Sequence, residues 1–259
     1  MRNWRFGFCG KTPYWCLCVS LVALSPWANG NAVEERHGNI YFRSGNGKLK
    51  QVTSSGADRS AALSPDGTRI VFVRNLGARD LGSGVGDAVG PEFGPSQLWT
   101  YDTRGGKPPE LLLDSPIEVE GRRFFGFYGP EFSSSNDAID FQIDFAATSG
   151  AVVRVTVATK TVVFVTQAIT FAVIPIGRYR DHLIVQQRRP KLGLGYYNWF
   201  YLMNPDGKEV GVIGEDRFDV SNFLDTNVGD VSSCPRWNGP EWMSCINQIR
   251  YTGRALAKP

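Results

Sequence analysis

Histidine is scarce in this 259-residue chain, which has only His37 and His182. A catalytic imidazole beside a serine and an acid, or a histidine-rich zinc site, therefore has little to draw on. Net charge is also lacking. Lys and Arg number 28 against 25 Asp and Glu, and the excess (Arg2, Arg5 and Lys11) lies before residue 33, where there is no acid. The remaining 227 residues carry equal numbers of both signs. Such a body has no positive field to hold phosphates, which excludes a nucleic-acid binder. No apolar run approaches the ~20 residues that span a bilayer. The long apolar region 152–176 is interrupted by Arg154, Lys160, Gln167 and Pro175. Helical signal is missing as well, because no window keeps a 3.6-residue apolar period over three turns. What the chain does have is 42% hydrophobic residues, which excludes disorder, and 29 Gly with 15 Pro, which call for many turns.

The first 32 residues read as a cleavable export signal. A basic start (Met1 to Lys11) leads into the apolar stretch Tyr14–Leu24, then Ser25-Pro26 and the small residues Ala28, Gly30 and Ala32. That order predicts cleavage after Gly30 or Ala32 and a periplasmic or secreted product, 33–259, with no membrane span. A lipid anchor is excluded, because Trp15 and Leu17, rather than small residues, precede Cys16 and Cys18. Cys9, Cys16 and Cys18 leave with the signal. Cys234 and Cys245 remain, and in an exported protein their simplest fate is one disulfide.

The rest is organised by repeats. Leu63-Ser64-Pro65-Asp66-Gly67-Thr68-Arg69-Ile70-Val71-Phe72 aligns without a gap on Phe132-Ser133-Ser134-Ser135-Asn136-Asp137-Ala138-Ile139-Asp140-Phe141. Gly67 meets Asn136, the two residue types that best tolerate positive φ, so both segments predict strand, tight turn, strand. Weaker copies run from Val173 to Val185 and from Cys234 to Met243. A second kind of hairpin recurs around Lys48, Lys107, Lys160 and Lys208, each lysine placed at the solvated end of a strand. Alternation of the two kinds predicts an all-β chain forming a small β-propeller of about four four-stranded blades. Residues 58–113, 128–168 and 173–213 make three blades. A hairpin at 38–53 joins one at 232–251 as the fourth, which closes the ring and removes an exposed edge. An open β-sandwich of the same strands is the alternative.

Val52-Thr53, Asp58-Arg59-Ser60 and the run Leu63–Phe72 closely resemble the repeat of TolB-like periplasmic β-propellers. Leu98-Trp99-Thr100-Tyr101-Asp102 resembles that family's second hairpin, and the likeness extends in register over 38–213. The resemblance implies a propeller fold. The Ser-Pro-Asp-Gly turn is a structural signature of that family, so the likeness brings no catalytic residue with it.

Candidate sites are few. Residues 82–90 are glycine-rich but lack the flanking strand and helix of a phosphate loop, and read instead as an insertion, 76–95, able to carry contacts. Residues 225–230 alternate oxygen side chains with a glycine. Position 235 is Pro where a calcium loop needs Glu, so an Asx-rich turn is expected. His182 reads as a hydrogen-bonded turn residue. Tyr196, Tyr197 and Trp199, with Trp237 and Trp242 and with Arg178 and Arg180, are the candidate binding residues, since aromatics and arginine anchor interfaces. Arg188 and Arg189 lie in the same stretch. Tyr and Trp also serve as platforms for sugars.

These features predict a non-enzymatic exported propeller, without metal or cofactor, that binds a protein or cell-envelope component. A polysaccharide-binding or polysaccharide-cleaving propeller, with Arg178, Arg180 and His182 beside the aromatic platform, is one alternative. An inhibitor or immunity-type binding protein is another. Facing each other across a hairpin, Cys234 and Cys245 place Trp237 opposite Trp242 and leave Gly239-Pro240 as a two-residue bend, compatible with a type II′ turn. The expected Cys234–Cys245 disulfide stabilises by about 2–3 kcal/mol, and reducing it loosens 219–259 together with the N-terminal hairpin. Mass spectrometry of the exported protein tests it: both thiols free would overturn the pairing.

Overall fold

The computed structural model describes residues 31–77, 94–146, 149–191 and 195–227. The segment 1–30 and the residues Cys234, Trp237, Trp242 and Cys245 lie outside them. Bends at Gly, Asn and Asp fold the chain into successive antiparallel meanders. The N-terminal sheet has β1 (Ala32–Arg36), β2 (Asn39–Arg43) and β3 (Leu49–Gln51). A four-stranded sheet follows: β4 (Asp58–Leu63), β5 (Arg69–Asn75), β6 (Ser96–Asp102) and β7 (Glu110–Asp114). The ribbon β8 (Ile117–Val119) and β9 (Arg122–Phe124) leads on. The third sheet has β10 (Phe127–Phe132), β11 (Ala138–Ala146), β12 (Ser149–Thr156) and β13 (Val162–Ala168). The fourth has β14 (Thr170–Val173), β15 (Leu183–Lys191), β16 (Gly195–Met203) and β17 (Glu209–Gly214), and α1 (Arg217–Asn227) ends the described chain.

The sheets cover one another face to face. Ile40 and Phe42 pack on Leu63, Ile70 and Phe72; Val71, Val73 and Leu98 pack on Phe127, Ile139 and Phe141; Val152 and Val165 pack on Phe171, Leu183 and Val185. A middle strand covered on both sides must be apolar at every position. Ile70, Val71, Phe72 and Val73 of β5 are all completely buried. The far face of the fourth sheet packs Ala172, Ile184 and Leu202 against Val220 and Leu224 of α1.

First strands lie side by side, β1 by β4, β4 by β10 and β10 by β14. Carboxylates tie them together. The Ala61 N–H on β4 donates to Glu35 on β1 at 2.6 Å, and the Val173 N–H on β14 donates to Glu131 on β10 at 3.0 Å. Desolvation at this seam pushes the Glu35 carboxyl up, although the residue keeps an exposed side, against the pull of the Ala61 and Ser60 N–H groups and the Arg59 charge. Burial likewise pushes up Asp140, while the fork of Arg154 opposes it through two bonds of 2.8 Å. The third Arg154 donor crosses to the Pro205 carbonyl in the fourth sheet.

The aligned repeats share turn chemistry. Gly67 and Asn136 have φ of 72° and 65°. Ser64 Oγ accepts the Arg69 N–H and donates to Asp66; Ser133 Oγ accepts the Ala138 N–H and donates to Asp137. The carboxylate has moved along the turn but finds the same serine. Hydroxyl donors Ser135 and Ser133 hold Asp137 below its usual range. For Asp66, burial raises the carboxyl, and the Ser64 and Thr68 donors outweigh it to leave it lowered. The equivalence reaches further back: Ser60 (φ 52°) and Gly129 (φ 49°) each sit in a bulge of a first strand.

The structure corrects two expectations. The N-terminal unit is a three-stranded sheet from Ala32 rather than a hairpin over 38–53. The strand β1 escapes an apolar-alternation reading because its buried Glu34 is a carboxylate, held by Arg36 and Arg43. A helix occupies 217–227, so Asp225, Thr226 and Asn227 lie in its last turn and not in an Asx-rich loop. Its start is a reciprocal cap: Asp216 accepts the Phe218 and Asp219 N–H groups, and Asp219 accepts those of Glu215 and Asp216.

Two tests follow from these contacts. Gly47 and Gly207 occupy equivalent turns at φ 82° and 80°, but a Cβ at Gly207 would overlap the Val165 carbonyl of the third sheet while one at Gly47 meets nothing. Gly47→Ala should cost about 1–2 kcal/mol for the left-handed backbone alone, and Gly207→Ala measurably more in denaturant unfolding. Equal costs would mean the third and fourth sheets do not meet there. Asp137, with its folded pKa below the ordinary 3.8, adds stability at neutral pH that is lost as pH falls through 3.8 toward the folded value. Asp137→Asn should therefore flatten the fall in Tm below about pH 4.

Candidate functional site

The fourth sheet carries a feature that the others lack among the described residues. Its strand β14 pairs with β15 only from Leu183 to Gln186, and β17 pairs with β16 only from Phe200 to Met203. Beyond those limits Gln187–Lys191 and Gly195–Trp199 pair only with each other, as a two-stranded arm about 16 Å long. Cross-strand register puts Arg188, Pro190, Tyr196 and Asn198 on one face, and Gln187, Arg189, Tyr197 and Trp199 on the other.

The foot of the arm is pinned to the third sheet. Gln187 Nε2 donates to Thr166 Oγ1 at 3.0 Å and to the Gln167 carbonyl at 2.6 Å. Arg189 donates to Gln187 Oε1, pairs with Glu209 at 2.6 Å and lies 3.7 Å from the Tyr201 ring centre. This guanidinium is held from three sides. Arg188 differs: it sits over the Tyr196 ring at 5.6 Å and enters none of the ion pairs among the described residues. Tyr196 is 65% exposed and Tyr197 41%. A cavity of about 490 Å³ lies between the arm and the 167–169 segment, lined by Gln167, Ile169, Gln187, Arg188, Arg189 and Tyr196 among others.

The expected binding residues do not gather in one place. Arg178 and Arg180 flank Tyr179 in the turn before β15, whereas Tyr196 and Tyr197 sit near the far end of that strand, about 26 Å along it. Arg178, Arg180 and His182 are therefore not beside the aromatic platform; nearness in sequence is undone by one long strand. Their turn is a joint: Asp181 accepts the Ser134 N–H of the third sheet at 2.6 Å, and Tyr179 stacks on Phe223 of α1 at 5.6 Å. His182 Nδ1 lies 3.3 Å from the Arg180 carbonyl and its ring meets Tyr179 edge-on. Trp199 is half-buried and packs toward the core between the third and fourth sheets. Trp237 and Trp242 fall outside the described residues. Residue type names Arg188 only as one of four arginines in this stretch; the strand alternation is what puts it on the face of Tyr196.

The insertion 76–95 leaves β5 and re-enters β6 at the connection between second and third strands, the same connection that carries the arm in the fourth sheet. Leu76 and Pro95 close its base by a 2.9 Å backbone bond, and 78–93 lie outside the described residues. Among the described residues, no three His, Cys, Asp or Glu side chains gather as a metal site, and no helix is long and apolar enough to cross a membrane.

No family model matches the sequence, and no curated protein matches it. Among solved structures the chain is similar to TolB from Acinetobacter baumannii at 15% identity and a TM-score of 0.45, covering 69% of this chain and 38% of that one. It is similar to Porphyromonas gingivalis dipeptidyl peptidase 4 at 12% identity and a TM-score of 0.46, over 72% of this chain and 31% of that one. The β-propeller domain of the Trilobed protease from Pyrococcus furiosus gives 12% identity and a TM-score of 0.43, over 71% and 53%. The chain thus spans about a third of the length of the first two.

Proposed function

We propose that this chain is an exported, non-enzymatic β-propeller that binds a protein or cell-envelope component through the arm of its fourth sheet. The observation that carries the reading is the arm itself, where two exposed tyrosines and an arginine without a carboxylate partner among the described residues stand beyond the sheet. Aromatic and arginine side chains are common interface anchors, and a rigidly pinned foot spares part of the ordering cost of binding. The proposal includes a fourth blade in which the C-terminal segment around Cys234 and Cys245 adds to the three-stranded N-terminal sheet. It also places signal cleavage after Gly30, because Ala32 opposite Arg43 is the first rung of β1. A polysaccharide-binding reading retains Tyr197 as a platform but loses Arg178, Arg180 and His182, which stand at the other end of β15.

The test is retention of partners from an envelope extract by the mature protein and by a Tyr196→Ala/Tyr197→Ala variant. The expected outcome is a partner held by the first and released, at least about tenfold, by the second. Equal retention by both would move the site elsewhere. Turnover of a cell-wall polymer with no partner retained would overturn the non-enzymatic reading.

A further inference from the structure

We infer that the free edge of β15 at the foot of the arm receives an extended, acidic segment of a partner protein, which adds to the fourth sheet as a strand and sets a carboxylate on Arg188. The inference rests on the protein-binding reading above and specifies what kind of segment is bound.

Backbone geometry gives the first argument. In antiparallel pairing, every second residue directs its N–H and C=O to the same side. The Ile169 N–H bonds to the Gln186 carbonyl at 2.7 Å, so Gln186 faces β14. Two and four residues on, Arg188 and Pro190 face that side too, where β14 has already ended. Arg188 presents a donor and an acceptor there and Pro190 an acceptor only. Neither group has a strand partner among the described residues. Such an edge is a template for an added strand.

Space and charge argue the same way. The cavity of about 490 Å³ runs along this edge, between it and the 167–169 segment, and is large enough for side chains of an incoming strand. From 182 to 205 the sequence holds Arg188, Arg189 and Lys191 and no Asp or Glu. Arg189 is consumed by Gln187, Glu209 and Tyr201. Among the described residues Arg188 is held by its stacking on Tyr196 alone, which leaves the guanidinium edge open to a carboxylate.

The other occupants fit less well. A sugar ring needs the open face of an aromatic, and the Tyr196 face carries Arg188. A second copy of this chain, paired edge to edge, would bring two Pro190 residues to the junction and forfeit a donor from each side.

The probe is a fluorescein-labelled hexapeptide of alternating Glu and Val, followed by anisotropy with the mature full chain. Binding is expected to weaken about tenfold with Arg188→Ala, the loss of one charge-assisted hydrogen bond. It should also fail for the same peptide N-methylated at alternate residues, which lacks the main-chain donors, and for an alternating Lys and Val peptide. Unchanged affinity in Arg188→Ala, or equal binding of the N-methylated peptide, would overturn the inference. So would polygalacturonate competing for the site with the peptide unbound, or an arm-dependent dimer in sedimentation. If the peptide fails while the envelope partner is still retained through Tyr196 and Tyr197, this inference falls and the binding reading stands. If neither is held, both fall.

Discussion

A sheet whose two faces are both apolar has to be covered twice, and in this chain only neighbouring sheets and one helix are present to do it among the described residues. That constraint explains the composition of the middle strands, the need for tight turns and the buried polar groups at the seams. Glu35 and Glu131 accept the backbone N–H groups of Ala61 and Val173 from the adjoining sheet. The Val173 N–H is buried, and a buried N–H left without an acceptor costs about 1–3 kcal/mol, so Glu131 fixes how the fourth sheet sits on the third as well as holding it there. Arg154 extends the logic by satisfying Asp140 within its own sheet and Pro205 in the following one.

The two ends of the described stack are finished differently. On the outer face of the N-terminal sheet Glu34 lies beneath Arg36 and Arg43, with Arg36 over Tyr41 at 5.6 Å. On the last sheet, α1 supplies Val220 and Leu224. Among the described residues, one outer face is thus finished with ion pairs and the other with a helix.

Local chemistry was the part of the fold legible in the sequence. The serine, the acid and the Gly or Asn of the 64–69 and 133–138 turns act within a few residues of each other, so alignment alone brings out their equivalence. What escaped was whatever depended on a partner far along the chain. The strand β1 is disguised by a buried glutamate, Glu34, that Arg43 on the next strand, together with Arg36, makes tolerable. The helix α1 has a narrow apolar stripe that the fourth sheet makes useful. The candidate site was half visible for the same reason. Tyr196 and Tyr197 stood out by type, but their separation from Arg178 and Arg180 required the length of β15, and the importance of Arg188 required the register of the arm.

The helix that closes the last face is eleven residues long. A peptide of that length is marginal as a helix in water, so α1 depends on the fourth sheet it packs against, and among the described residues α1 is what covers that sheet's far face. The pair should open as one unit, sooner than the sheets enclosed on both sides, and its amides should exchange with solvent ahead of those in β5 and β12. The arm is rooted in this less protected unit, so a segment bound there would slow exchange across the sheet and, through it, in a helix it never touches.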